Sequence, residues 1–324
     1  MWRPRPPAGH VRWVWRQMRC ARMTGVPVVP DLAELAAWNP TLLVRTAGQS
    51  SAAGPSSQRA VYAASVAKQF TAFLAALLIT ERRWTAGDQI RAMVPELPSW
   101  ADGIEVQHLV HHSSGLPSTP RLRENGVEWP VAWGNAEVLA AIVRDVVPVR
   151  PPGAGWEYCS LGYVLLAVAI ERLIGHPFEE LARERLFEPG GITASQFGGP
   201  PPGARVTGTE PATIGEGGLW TTPADLERWN HLMNARAFGP VAHDLAERPG
   251  RLQDGSIMAN GWGVGIVRSA GRVFFHRGGD VEGWTTKVVR ERTSGTSVVL
   301  ATDGAPPQLV HDTALQIALD ASVS

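Results

Sequence analysis

Ser65 and Lys68 stand three apart in the stretch Val61-Tyr62-Ala63-Ala64-Ser65-Val66-Ala67-Lys68-Gln69-Phe70. Apolar residues follow at Phe70, Phe73, Leu74, Leu77 and Leu78, the i, i+3, i+4, i+7, i+8 spacing of a helix that buries one face. Both polar side chains then leave the same side of the first turn. A serine there sits beside unpaired backbone N–H groups and the positive end of the helix dipole, which favour a developing negative charge. An amine three residues on is within reach of the hydroxyl proton, as an activated nucleophile requires. Of the chain's 30 basic residues only Lys68 and Lys287 are lysines. Arginine does not deprotonate at any useful pH and lysine can, so a lysine retained at 68 points to proton transfer. A lone S-x-x-K also fits an ordinary exposed lysine on an amphipathic helix.

Tyr158-Cys159-Ser160 precedes a strongly apolar segment. A tyrosine near a lysine shares its proton, each charged form stabilising the other, and the pair can act first as base and then as acid. Tyr158 fits equally a packed tyrosine with a satisfied hydroxyl. Ser160 either donates a hydrogen bond to a substrate or caps the following helix. His276-Arg277-Gly278-Gly279 reads as a strand end whose glycines let a ligand approach the backbone, with a backbone N–H there completing an oxyanion hole. The same residues also fit a hairpin turn. His108, His111 and His112 have a spacing that suits a metal. No further ligand stands nearby, so a structural role is favoured, with His112 bonding around the Ser113–Gly115 turn.

Those residues need a scaffold. At 324 residues, 44% hydrophobic, the chain is long enough for a large core. A formal net charge of zero leaves no footprint for nucleic acid or anionic membrane. The longest apolar runs, Phe70–Ile79 and Tyr163–Ile170, fall short of the roughly 20 residues of a membrane span. No glycine-rich phosphate loop follows a strand, and no cofactor is expected. Cys20 and Cys159 are too few for a disulfide framework and read as free thiols. Residues 1–30 carry six arginines and no acid. Arginines interrupt every apolar stretch there, so they read as a basic, disordered leader and not a secretory signal; a cytoplasmic location is expected.

The elements read in order as a short helix to Trp38, a strand at Thr41–Arg45, a loop over Gln49–Gln58, and the Ser65 helix. A helical region follows, including Val106–His112, Glu137–Val147, Leu161–Ile174 and Phe178–Phe187. A helix opens at Thr222-Pro223-Ala224-Asp225, with Thr as N-cap and Pro at the first helical position. β-branched and aromatic runs at Gly261–Val267, Arg272–His276, Trp284–Arg290 and Ser297–Thr302 read as an antiparallel meander, closed by a helix at Val310–Leu319. The fold class expected is α+β: an antiparallel sheet flanked by helices, with a helical second lobe. The catalytic domain spans 31–324, one lobe from about 31–90 and 205–324 and the helical lobe from about 91–204, with the site in the cleft between them.

Taken in order, these segments resemble the serine β-lactamase and penicillin-binding-protein superfamily, in its class C-like branch of D-alanyl-D-alanine carboxypeptidases, D-aminopeptidases and related esterases. Ser65-Val66-Ala67-Lys68 matches S-x-x-K. Leu109 to Pro117 resembles Leu-Leu-x-His-x-Ser-Gly-Leu-Pro. Pro152-Gly153 with Tyr158-Cys159-Ser160 and Gly162-Tyr163 resembles Pro-Gly-x-x-x-x-Tyr-Ser-Asn-x-Gly-Tyr. Gly217 to Asp225 matches Gly-Gly-Leu-x-Ser-Thr-x-x-Asp, and His276-Arg277-Gly278-Gly279 stands where the family has Lys-Thr-Gly or His-x-Gly. The resemblance covers about residues 58–320.

The resemblance implies Ser65 as acylated nucleophile, Lys68 and Tyr158 as base and acid, the N–H groups of Ser65 and Gly279 as oxyanion hole, and His276 lining the cleft beside Gly278. Three departures from the family pattern matter, two of them for substrate. Ser160 replaces an asparagine, and His276 replaces a lysine that would bind a substrate carboxylate; both favour an ester or small amide over a β-lactam. Only Thr41–Arg45 precedes the nucleophile helix where the family has a hairpin, so a sheet one strand short is expected. The function expected is a serine hydrolase acting on a small-molecule ester or amide. D-peptidase or acyltransferase activity on the same fold is the alternative, and a non-catalytic binding protein the alternative outside enzymes.

Overall fold

A computed structural model describes residues 32–47 and 49–322; Asp31, Cys20 and the basic leader lie outside them. The central sheet has six strands: β1 (Thr41–Arg45), β2 (Ser50–Ala53), and, after three short strands outside it, β6 (Gly265–Ser269), β7 (Arg272–Val281), β8 (Trp284–Glu291) and β9 (Thr296–Thr302). Their order is β2-β1-β9-β8-β7-β6, every neighbouring pair antiparallel. The middle strands β8 and β9 are buried along their whole lengths. Val and Thr dominate them because a β-branched side chain packs well on a pleated surface covered on both faces.

Two expectations about this sheet are corrected. Ser50–Ala53, read as loop from its Ser, Ala and Gly content, pairs with β1 from Leu42↔Ala53 to Arg45↔Ser50. The hairpin before the nucleophile helix is therefore present, and the sheet is not a strand short. β7 does not stop at His276 but continues to Val281, paired with β8 as far as Val281↔Trp284. The three remaining strands, β3 (Val61–Tyr62), β4 (Gln196–Phe197) and β5 (Leu219–Thr221), form a separate small sheet in the order β3-β5-β4.

The helices divide between the two faces. The C-terminal helix α10 (Pro307–Ala321) packs on β8 and β9, where Leu42, Val289, Val298 and Leu300 meet Val310, Ala314 and Ile317. On the other face lie α1 (Ala67–Thr80), α8 (Pro223–Ala235) and α9 (Pro240–Glu247). Between them in sequence come α2 (Val106–Val110), α3 (Thr119–Glu124), α4 (Asn135–Asp145), α5 (Leu161–Ile174), α6 (Phe178–Ala182), which continues as a π-type turn to Phe187, and α7 (Glu188–Gly190). One hydrophobic core joins α1 to this helical region: Phe70, Phe73 and Leu74 share it with Leu109, Ile142, Leu166, Phe187 and Trp229. Phe70 stacks on Trp229 at 4.3 Å between ring centroids, and Phe73 meets the same indole edge-on, arrangements that add to the area term of aromatic burial.

Chain ends of helices follow the sequence signals. The Thr222 hydroxyl accepts from the Asp225 N–H at 3.1 Å and Pro223 opens α8; Gly175, at φ +80°, ends α5. No single helix among the described residues is long and apolar enough to cross a membrane.

Candidate active site

The site lies where α1, the start of α5, the 213–218 loop and β7 converge. Ser65 sits in a single 3-10 turn, Ala64–Val66, that runs into α1. The preceding Ala64 has φ +44°. A left-handed alanine costs roughly 1–2 kcal/mol, and such backbone is found where a side chain must be aimed. β7 presses against this turn: a Cβ at Gly279 would stand 2.1 Å from the Ala63 carbonyl oxygen and 3.1 Å from the Val66 nitrogen. Only glycine lets the strand come so near the nucleophile.

Ser65, Lys68 and Tyr158 are brought together. The Ser65 Oγ lies 2.8 Å from the Tyr158 hydroxyl and accepts from Lys68 Nζ at 3.1 Å. Lys68 is fully buried although it lies on the first turn of α1. Tyr158 is held at the mouth of α5 by the ring of His112 beneath it, 4.6 Å between centroids. His112 Nδ1 lies 3.2 Å from both the N and O of Cys159. This imidazole therefore fixes the 158–160 segment instead of bonding around the Ser113–Gly115 turn. Burial, then the charges of Arg277 and Lys68, push its pKa well below the usual value, so it serves as a neutral prop. His111 accepts from the Trp262 indole at 3.1 Å and His108 from the Glu105 N–H at 3.0 Å. The three histidines have separate partners, and no metal-ligating group of three occurs among the described residues. Cys159 is a buried free thiol whose Sγ donates to the Pro117 carbonyl at 3.2 Å.

Two residues of the site were missed by sequence reasoning. Glu216 reaches Lys68 from the 213–218 loop: Nζ donates to the Glu216 carbonyl oxygen at 2.7 Å and to its Oε2 at 3.1 Å. Arg277 is the other. Its Nη2 donates to the Tyr158 hydroxyl at 2.6 Å and its Nε to the Ser65 carbonyl at 3.1 Å. Burial raises the Tyr158 pKa, but Arg277, then Lys68, and the hydrogen bond from Ser65 outweigh it, and the net shift is downward. The phenol is poised to exist as phenolate more readily than an ordinary tyrosine.

His276 does not line the cleft. Successive residues of a strand face opposite sides, and Arg277 takes the face of Ser65. His276 points with Gly278 toward α10: its Nδ1 lies 2.9 Å from Lys287 Nζ, and a Cβ at Gly278 would stand 2.5 Å from the His311 ring. Burial, then Lys287 and Arg277, depress His276 to about 3. Lys287 is itself lowered to about 8, first by burial and then by Arg277. Ser160 opens α5 without capping it through its side chain; it faces the Glu216 carboxylate instead.

A serine held between a lysine and a tyrosine, at the seam of an antiparallel sheet and a helical region, is the arrangement of the β-lactamase and penicillin-binding-protein fold. A family model described as Beta-lactamase matches residues 42–322; the chain belongs to that family. Penicillin-binding protein 4* of Bacillus subtilis (strain 168) is 29% identical over 145 residues, covering 41% of this chain and 29% of that protein. The chain thus spans less than a third of the length of that relative. Among solved structures, the octameric penicillin-binding protein homologue from Pyrococcus abyssi superposes with a TM-score of 0.74 at 20% identity, over 89% of this chain and 75% of that one. The D-amino acid amidase from Ochrobactrum anthropi SV3, complexed with L-phenylalanine, gives 0.70 at 20% identity, over 88% and 92%.

Proposed function

We propose that this chain is a serine hydrolase that forms an acyl-enzyme on Ser65 and acts on a small ester or amide. The observation that carries the reading is the placement of one hydroxyl within hydrogen-bond reach of both a buried lysine and a phenol lowered below its ordinary pKa. In the proposed reaction Ser65 Oγ bonds to the substrate carbonyl carbon as its proton passes to the Tyr158 oxygen. The Ser65 N–H and the Gly279 segment of β7 receive the oxyanion. Tyr158 returns the proton to the departing alcohol or amine as the carbonyl–heteroatom bond breaks. Water, deprotonated along the same path, then releases the acid from Ser65.

A second reading has its own support. Arg277 supplies the cleft with a cation that His276 does not, and a guanidinium can pair a carboxylate through two parallel hydrogen bonds. This favours substrates with a free carboxylate as the alternative class, and the likeness to a protein named D-amino acid amidase separately favours amides of D-amino acids and D-peptides.

A fluorophosphonate probe followed by mass spectrometry tests the nucleophile. The expected result is one adduct, on Ser65, lost in Ser65→Ala together with turnover of p-nitrophenyl esters. No adduct and no turnover in the wild type would sink the enzyme reading and leave a non-catalytic binding protein.

A further inference from the structure

Glu216 puts a carboxylate against the nucleophile's lysine, which has no other carboxylate partner among the described residues. Its Oε2 lies 3.1 Å from Lys68 Nζ, its Oε1 accepts from the Thr213 hydroxyl at 2.9 Å, and the pair is nearly closed to water, the side chains being 0% and 15% exposed. The loop that carries it is pinned on both sides: the Ile214 N–H donates to Asn135 Oδ1 at 2.9 Å, and the Gly218 N–H donates to the Tyr62 hydroxyl at 2.9 Å. Glu216 therefore has little freedom to turn away. Burial would raise its pKa, but Lys68, then Thr213 and Ser160, hold it below the ordinary carboxylate value; it is an anion at neutral pH.

We propose that Glu216 is a positioning residue that holds Lys68 as the ammonium, so that Tyr158 and not Lys68 takes the Ser65 proton. The inference rests on the reading of Ser65 as nucleophile. With its charge matched by Glu216 and one N–H given to the Glu216 carbonyl, Lys68 has one donor aimed at Ser65 Oγ and no lone pair to receive from it. The accepting atom left within reach of Ser65 is the Tyr158 oxygen, 2.8 Å away, which also accepts from Arg277. When the Oγ–carbon bond forms, the serine proton moves to that oxygen, and the ammonium stays charged to stabilise the alkoxide as it develops.

The charges that bear on the pair come from every element around it. Lys68 faces Glu216, Tyr158 and the ring of Tyr163, with Arg277 opposite on β7. Glu216 faces Lys68 and acts at longer range on Tyr62. His112 and Cys159, the other titratable groups close by, are kept neutral mainly by burial. Removing Glu216 thus takes away the carboxylate that faces Lys68 and leaves the Tyr158 oxygen as the negative group beside it, with Arg277 opposite. The short Ser160 hydroxyl, which stands in place of the amide implied by the family likeness, also donates to this carboxylate and does not compete with it for the amine.

The test is the pH profile of kcat/KM for a p-nitrophenyl ester with Glu216→Gln and Glu216→Asp. In E216Q the alkaline limb is expected to fall by about one to three pH units, the range over which a neighbouring opposite charge acts. E216D, one methylene shorter, is expected to move the limb the same way by less. A folded E216Q with lower rate and unmoved limbs overturns the proposal and makes Glu216 structural. If E216Q does not fold, E216D decides: a displaced limb supports the proposal and a wild-type limb overturns it. Fluorophosphonate labelling of the wild type, run in parallel, separates the two readings. A wild type that labels at Ser65 while the variants keep its limbs refutes only the role of Glu216; a wild type that does not label refutes the nucleophile.

Discussion

Arg277→Ala is the perturbation that tests the site most directly, because this guanidinium touches both halves of it. It donates to the Tyr158 hydroxyl at 2.6 Å and to the Ser65 carbonyl at 3.1 Å, and its carbon sits 4.8 Å from the Tyr158 ring centre. Two unit charges about 4 Å apart at an effective dielectric near 20 attract by about 4 kcal/mol. Water entering the space left by the side chain returns part of that, and Lys68 remains as a second cation. The loss for the phenolate is then about 1–3 kcal/mol, or roughly one to two pH units at 1.36 kcal/mol per unit. Tyr158 becomes a weaker acid, so the sign is alkaline. The assay is kcat/KM for a p-nitrophenyl ester from about pH 5 to about pH 10. The acid limb of R277A is expected to rise by one to two units, with about a tenfold loss per unit below the limb and recovery above it. Arg277→Lys keeps a charge but not the fork that spans both acceptors, and should fall between. An R277A limb at the wild-type position, with the rate lowered evenly at all pH, would refute the argument that Arg277 sets the acidity of Tyr158 and leave it a substrate-binding residue only.

Two further perturbations follow from the sheet. Gly279→Ala drives a methyl to 2.1 Å from the Ala63 carbonyl; overpacking against backbone costs about 1–3 kcal/mol, and thermal melting should show it alongside lost turnover of every substrate. Wild-type melting for G279A would mean that β7 does not press on the Ser65 turn. Lys287 releases its proton at about 8 in the folded chain against the ordinary 10.5, so the unfolded chain binds more protons between those values and stability rises with pH across them. Below pH 8 the full difference, about 3 kcal/mol at 1.36 kcal/mol per unit, weighs against folding. Lys287→Met should therefore raise chemical-denaturation stability at neutral pH by about 1–3 kcal/mol and flatten that rise; unchanged stability at pH 7 counts against it.

Ser65, Lys68 and Tyr158 were legible because each sits at the head of a strongly apolar helix, where spacing and side-chain type both speak. The capping signal at Thr222 was legible for the same local reason. What escaped depended on long-range contacts. Glu216 is one acid in a run of glycines, and only the fold of the 213–218 loop over α1 and α5 gives it a partner. Arg277, to which the sequence reading gave no role, faces Ser65 in place of His276 because of parity: a strand ending at His276 leaves its orientation free, but pairing through to Val281 fixes which residue of each adjacent pair faces Ser65, and a slip of one exchanges the faces. Ser50–Ala53 lacks β-branched or aromatic residues, and its pairing with β1 overrides a composition that reads as loop. The two- and three-residue strands of the small sheet are too short to show a period.

The scarcity of lysine has a chemical consequence beyond catalysis. Both lysines of the chain are buried, Lys68 at 0% and Lys287 at 6% exposure, while arginine carries the positive charge elsewhere. The described surface therefore presents no lysine amine to an activated ester, aldehyde or anhydride. If Ser65 carries acyl groups as proposed, the described surface offers no lysine amine to receive them, and reagents that couple to lysine would leave that part of the exterior unmarked.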